Sequence, residues 1–201
     1  MTDSLKWPRP ATALNRFLAA DWRGSMSPHL GLWRAKKATM IDGQRMVELL
    51  GELGVTDLVW LPDSELGTWE DALAGQDRIR LVRVCREGEA WAIAAGLILG
   101  GRTPVVAIQC TGFFESGDAM RNVVFDLGLP VFAFVGYRSY LVQDKLPGDT
   151  ARIYTEPVLK AWGLPYRLIT AADQVAEIAD HYRQCQSQGT AGVVLLAEGK
   201  M

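Results

Sequence analysis

Histidine and cysteine are scarce in this chain of 201 residues, which holds two of the first and three of the second. His29 and His181 lie far apart, which leaves a histidine-centred metal site or triad little to work with. Cys85, Cys110 and Cys185 are widely spaced, odd in number and without a C-x-x-C pair. That argues against a disulfide framework or a zinc site and predicts reduced thiols in a cytoplasmic protein. Charge is nearly balanced, with a formal net of -2 and no run of basic residues, so a nucleic-acid or membrane-surface partner is not expected. No stretch is long and apolar enough to span a bilayer, and the polar, proline-containing start offers no apolar signal core. Also missing are G-x-G-x-x-G after a strand, G-x-x-x-x-G-K-S/T and G-x-S-x-G. The sequence marks of dinucleotide, P-loop and nucleophile-elbow chemistry go with them.

Apolar residues, by contrast, are plentiful at 49%. They suffice for the core of one α/β domain with a short appendage. Residues 1–39 form an N-terminal extension with Trp7, Trp22 and Trp33, aromatic rings that need burial somewhere. Residues 40–201 alternate between apolar runs and helical patterns. Strands are expected at 57–61, 79–84, 104–109, 130–135, 166–169 and 191–196. Helices are expected from the Asp42 cap to 53, then at 65–73, 87–99, 118–127, 155–162 and 172–185, with loops at 110–117 and 137–149. The pattern predicts a doubly wound α/β fold, an about six-stranded parallel sheet with helices on both faces. In such folds ligands sit at the carboxyl ends of the strands.

Loops with unusual chemistry leave strands at that edge. Arg86-Glu87-Gly88-Glu89 opens a helix that is apolar all round, Ala90 to Leu99. A carboxylate held there is a candidate proton handler. The plainer reading is that Glu87 and Glu89 favour the helix N-terminus electrostatically. Asp63 and Ser64 either contact a substrate or cap the next helix. Arg138 is either an anion-binding fork or an ordinary surface arginine. Cys110, with no histidine placed to serve as its base, reads as a small buried hydrophobe.

Taken together, Leu61-Pro62-Asp63-Ser64-Glu65-Leu66, Arg86-Glu87-Gly88-Glu89-Ala90 with Ala94-Ala95-Gly96, Gln109-Cys110-Thr111-Gly112, Leu129-Pro130, Gly136-Tyr137-Arg138 and Leu159–Tyr166 carry a family likeness in their order and spacing. From about residue 40 to 198 the chain resembles the pyrimidine-binding domain of thiamine-diphosphate-dependent 2-oxoacid decarboxylases, nearest to the sulfopyruvate and phosphonopyruvate decarboxylase group. The resemblance implies that Glu87 bonds N1′ of the cofactor's aminopyrimidine and shares a proton there, with Gln109, Thr111 and Gly112 beside the ring. It places Asp63, Ser64 and Arg138 near the substrate, with Glu89 as a solvated or partner-facing acid. Cys110 and Thr111 stand where the family has Asn and Ser. Phe113-Phe114-Glu115 replaces smaller residues and is expected to change the pocket's volume and polarity.

The family also needs a Mg²⁺ and diphosphate site, marked by Gly-Asp-Gly with a later Asn. Gly117-Asp118-Ala119 and Gly148-Asp149-Thr150 do not complete it, and the asparagines are Asn15 and Asn122 alone. The resemblance therefore implies an α-type subunit of a heteromeric decarboxylase, with Mg²⁺ held by a separate β-type subunit and further α–α or β–β pairing. The alternatives are a carboligase or synthase subunit with a bulkier substrate, and a non-catalytic scaffold subunit.

Overall fold

Six short apolar runs form six strands, and all of them run parallel. In this computed structural model residues 41–199 are described, and they belong to one compact unit. The tryptophan-bearing extension, residues 1–39, lies outside the described residues. The chain begins with α1 (Gly43–Glu52), capped by the Asp42 carboxylate, which accepts from the Arg45 N–H at 2.9 Å. Strand β1 (Asp57–Leu61) leads to a 3₁₀ turn (Leu66–Trp69) and α2 (Glu70–Ala74). Next come β2 (Arg80–Arg83), α3 (Glu87–Leu99) and β3 (Pro104–Gln109). Two short helices, α4 (Cys110–Glu115) and α5 (Gly117–Arg121), run into a π-helical turn (Asn122–Asp126) before β4 (Phe132–Tyr137). The domain closes with α6 (Thr150–Ala161), β5 (Tyr166–Ile169), α7 (Val175–Gln188) and β6 (Gly192–Ala197).

The strand order is β2-β1-β3-β4-β6-β5. The doubly wound parallel architecture read from the sequence is the observed one. Successive strand side chains point to opposite faces, and here both faces are buried. Leu58, Trp60, Val105, Ala107, Phe132, Phe134, Val194 and Leu196 pack with α1, α2 and α7. Val59, Val106, Ile108, Ala133, Val135, Val193 and Leu195 pack with α3 to α6. Neighbouring strands are in register at their carboxyl ends: Leu61 pairs with Ile108, Gln109 with Gly136, and Tyr137 with Ala197. The loops after β1, β3, β4 and β6 therefore emerge side by side. The winding reverses between β1 and β3, which opens a crevice there. Among the described residues no helix is long and apolar enough to cross a membrane.

Several boundaries differ from the sequence reading. Residues 110–117, expected as a loop, begin with α4, because Phe113 and Cys110 find core positions on consecutive turns. The expected helix 118–127 is divided into α5 and the π turn. Helix α6 starts at Thr150 rather than 155. Asp149 caps it by accepting from the Ala151 N–H at 3.0 Å, and Pro157 lies inside the helix, where a first-turn position was expected. Strand β4 runs two residues later than read, so Gly136 and Tyr137 are ladder residues.

At the amino edge of the sheet one charge is fully buried. Asp57, at 0% exposure, accepts from Arg80 Nε and Arg102 Nε at 2.6 Å each and from Thr56 Oγ1 at 2.7 Å. Burial alone would push this carboxyl up, but the hydrogen bonds from Arg102, Thr56 and Arg80 outweigh it and hold it below its ordinary value. The clamp ties β1, β2 and the turn into β3 together. Removing both arginines by Arg80→Ala and Arg102→Ala leaves a buried charge unpaired, and urea unfolding at neutral pH should show a loss of about 3–5 kcal/mol. The deficit should shrink in acid, because the native advantage of a depressed carboxyl disappears once it is protonated.

Candidate functional site

The N-terminus of α3 separates its two acids by task. Arg86 is extended (φ -142°, ψ 143°), and Glu89 turns back so that Oε2 accepts from the N–H groups of Cys85 and Arg86 at 3.2 and 3.3 Å. Glu89 thus caps the helix, the plainer of the two roles. Glu87 does not take part in the cap. Its half-buried side chain lies flat against Gly112 of α4, and its carboxylate accepts no hydrogen bond from any described residue. A Cβ at Gly112 would fall on Glu87 Cγ, Cδ and Oε1, so only glycine permits this approach.

Glu115 is a residue that sequence reasoning missed as an organiser. From α4 it accepts from the Gly88 N–H at 2.9 Å and from Arg86 Nε at 3.1 Å, with a second Arg86 bond through Nη2. The hydrogen bonds from Arg86 and Gly88 hold its carboxyl below the ordinary value. Glu115 thereby fastens α4 to the start of α3 and fixes the Glu87–Gly112 contact. Its signal was its place in a substituted loop, which gave no hint of a partner 27 residues upstream.

Gln109 ends β3 and receives the Thr111 hydroxyl on Oε1 at 2.7 Å. Glu87 therefore meets Gly112, and Gln109 meets Thr111, on the same short segment after β3. Phe113 is 1% exposed, stacked in the core, and Phe114 packs half-buried against the same cluster. Phe113 thus belongs to the layer beneath α4, and Phe114 lies half-buried at its margin. Cys110 is buried and its thiol is pushed up by burial, an inert position.

The second group gathers around β1, β4 and β6. The two oxygens of Asp63 differ in their surroundings. Oδ1 accepts from the N–H groups of Glu65 and Leu66 at 2.8 Å each, a cap on the 3₁₀ turn. Oδ2 is buried, points at Gly136 and meets Glu198 Oε1 there, neither oxygen having a donor among the described residues. Glu198, just past β6 and 6% exposed, escaped the sequence reading because it sits in a run with no motif. Burial, the hydrogen bond with Asp63 and repulsion from Asp63 and Glu65 push its carboxyl up to about 10, while Arg138 pulls it down. Arg138 itself is half exposed and pairs with Asp149 at 3.2 Å. Asp149 also accepts from Ser139 Oγ at 2.7 Å, and Ser139 adopts φ 60°, a left-handed conformation unusual for serine. Ser64 is exposed.

Comparison with known proteins finds no family model and no curated protein that matches the chain. The chemistry is therefore argued from the edge itself, where one acid is presented without a donor and a second pair is buried.

Gly112→Ala should cost about 1–3 kcal/mol by overpacking. A double-mutant cycle with Glu87→Ala should recover much of that loss, since trimming the carboxyl vacates the space. Additive losses in thermal unfolding would show that the two side chains do not meet.

Proposed function

We propose that this chain is the α-type, pyrimidine-binding subunit of a thiamine-diphosphate-dependent decarboxylase acting on a small anionic 2-oxoacid, of the 3-sulfopyruvate or 3-phosphonopyruvate type. The observation that carries the reading is the Glu87 carboxylate, set at the carboxyl edge against Gly112 with no internal donor. Half-buried acids are costly to leave without a partner, so the position fits a ligand that brings its own donor. An aminopyrimidine does so. Glu87 would hold its N1′ and exchange a proton there, with Gln109, Thr111 and Gly112 flanking the ring. Bound thiamine diphosphate would supply the electron sink for loss of carbon dioxide.

Arg138 presents a guanidinium fork at the same edge, suited to a sulfonate, phosphonate or carboxylate group. Asp149 holds it there at 3.2 Å. Ser64 is the exposed hydroxyl of the neighbouring turn. Asp63 contributes through the turn it caps, since Oδ1 is already committed to Glu65 and Leu66.

The diphosphate and Mg²⁺ are assigned to a separate β-type subunit. Support comes from α3, which is apolar all round yet exposes Ala92, Ile93, Gly96 and Leu99 at helical spacing. A helix of that composition ordinarily has every face covered. The three free cysteines support a reducing, cytoplasmic setting. With Phe113 in the core and Phe114 half-buried, the bulkier-substrate reading rests on Phe114 alone.

The test is co-expression with a chain carrying Gly-Asp-Gly and a later Asn, followed by calorimetry with thiamine diphosphate and Mg²⁺. Uptake by the mixed complex and by neither chain alone is expected. Glu87→Gln should lower turnover by about 10²–10⁴-fold while leaving the assembly intact. Full activity of that variant, or no uptake, overturns the proposal. Arg138→Ala should raise KM for the oxoacid and leave coenzyme uptake unchanged.

A further inference from the structure

The pair formed by Asp63 and Glu198 is unused by the chemistry above, and it is built with care. Its two oxygens, Asp63 Oδ2 and Glu198 Oε1, are both buried and both lack any donor among the described residues. They converge over the Cα of Gly136, where any side chain would displace them. Two charged acceptors pressed together without a donor are untenable, and one proton placed between them turns repulsion into a hydrogen bond. The groups facing the pair leave this as the balance. Glu65 from the turn after β1 adds repulsion, Arg138 from the end of β4 offsets part of it, and the Cys110 thiol at the start of α4 adds no positive charge.

We propose that Glu198 is a positioning residue: it keeps one proton shared with Asp63 across Gly136 and so fixes the turn Pro62-Asp63-Ser64-Glu65 at the reacting edge. The shared proton holds Asp63 Oδ2, which leaves Oδ1 aimed at the Glu65 and Leu66 N–H groups at 2.8 Å. Glu65 Oε1 in turn accepts from the Gly199 N–H at 3.2 Å, and the Leu141 N–H donates to the Glu198 carbonyl at 2.9 Å. The ends of β1, β4 and β6 are thereby locked by one proton. The consequence for substrate placement through Ser64 and Arg138 rests on the decarboxylase reading, whereas the lock itself does not.

The full chain, ¹³C-labelled at its carboxyl carbons, is titrated by NMR in the wild type, Glu198→Gln and Asp63→Asn. One glutamate signal, missing from Glu198→Gln, should stay protonated through neutral pH in the wild type. In Asp63→Asn it should move toward the ordinary glutamate range. Amide exchange at Glu65 and Leu66 should be unchanged in Glu198→Gln, whose amide replaces the proton donor. It should speed up by about tenfold or more in Glu198→Ala. The melting temperature should respond in the same sense. A carboxyl raised in the folded state loses native stability as pH climbs from about 5 toward 10. Glu198→Gln should therefore gain on the wild type across that window. Glu198 titrating in the ordinary range, a titration unmoved by Asp63→Asn, or equal loosening by Gln and Ala each overturns the proposal. These readouts need no cofactor or partner, so they and coenzyme uptake stand or fall separately.

Discussion

Burial of both sheet faces is the constraint from which the rest follows. A parallel sheet covered by helices on two sides tolerates little charge on its central strands, and the strand arginines Arg80, Arg83 and Arg167 lie on the outer strands β2 and β5. Charge is driven to the two edges, and the edges treat it differently. At the amino edge Asp57 is surrounded by donors, with two arginines and a threonine on its two oxygens. At the carboxyl edge Glu87 has no internal donor, and Asp63 Oδ2 and Glu198 Oε1 have no donor but each other among the described residues, Asp63 Oδ1 being held by two backbone N–H groups. The first arrangement is a clamp that sets the register of β1, β2 and β3. The second leaves carboxylate oxygens without donors among the described residues, and the proposed function rests on that contrast.

The same logic divides neighbouring acids. Glu87 and Glu89 sit two residues apart on one helix, and helical geometry sends them to different places. Glu89 satisfies the backbone N–H groups of Cys85 and Arg86 just ahead of α3, a contribution on the order of 1 kcal/mol. Because Glu89 performs that task, Glu87 is released from it. Glu115 then supplies the rest of the helix start through Gly88 and Arg86, which leaves the Glu87 side chain pinned only by its contact with Gly112.

Much of this was legible in the sequence, because strand periodicity and apolar runs are local signals. The six strands and the α3 helix followed from them, whereas the grouping of Glu87 with Gln109, Thr111 and Gly112 came from the family resemblance and not from any local pattern. Boundaries failed where a local signal met a tertiary demand. Thr155 read as the helix start, but the Asp149 cap lies six residues before it, and the helix runs on through Pro157. Residues 110–117 read as a loop, but Phe113 belongs to the core. Glu198 and Glu115 were illegible for a different reason. Each acquires its role from a partner far away in the chain, Asp63 for one and Gly88 for the other, and no spacing rule joins them.

In the proposed enzyme, helix α3 would couple chemistry to assembly. Its first residue is the presented carboxyl, and its outward stripe of Ala92, Ile93, Gly96 and Leu99 is apolar, with Leu99 74% exposed. A subunit laid along that stripe would exclude water from the same helix that carries Glu87. Removing water around a half-buried acid disfavours its charged form, which is the direction a proton-sharing role requires. Small residues at 92 and 96 let a partner approach closely, so the covering need not add bulk near the carboxyl edge. In the proposed assembly the interface and the proton site are therefore two ends of one element, and mutations in the stripe should act on the acid without touching it.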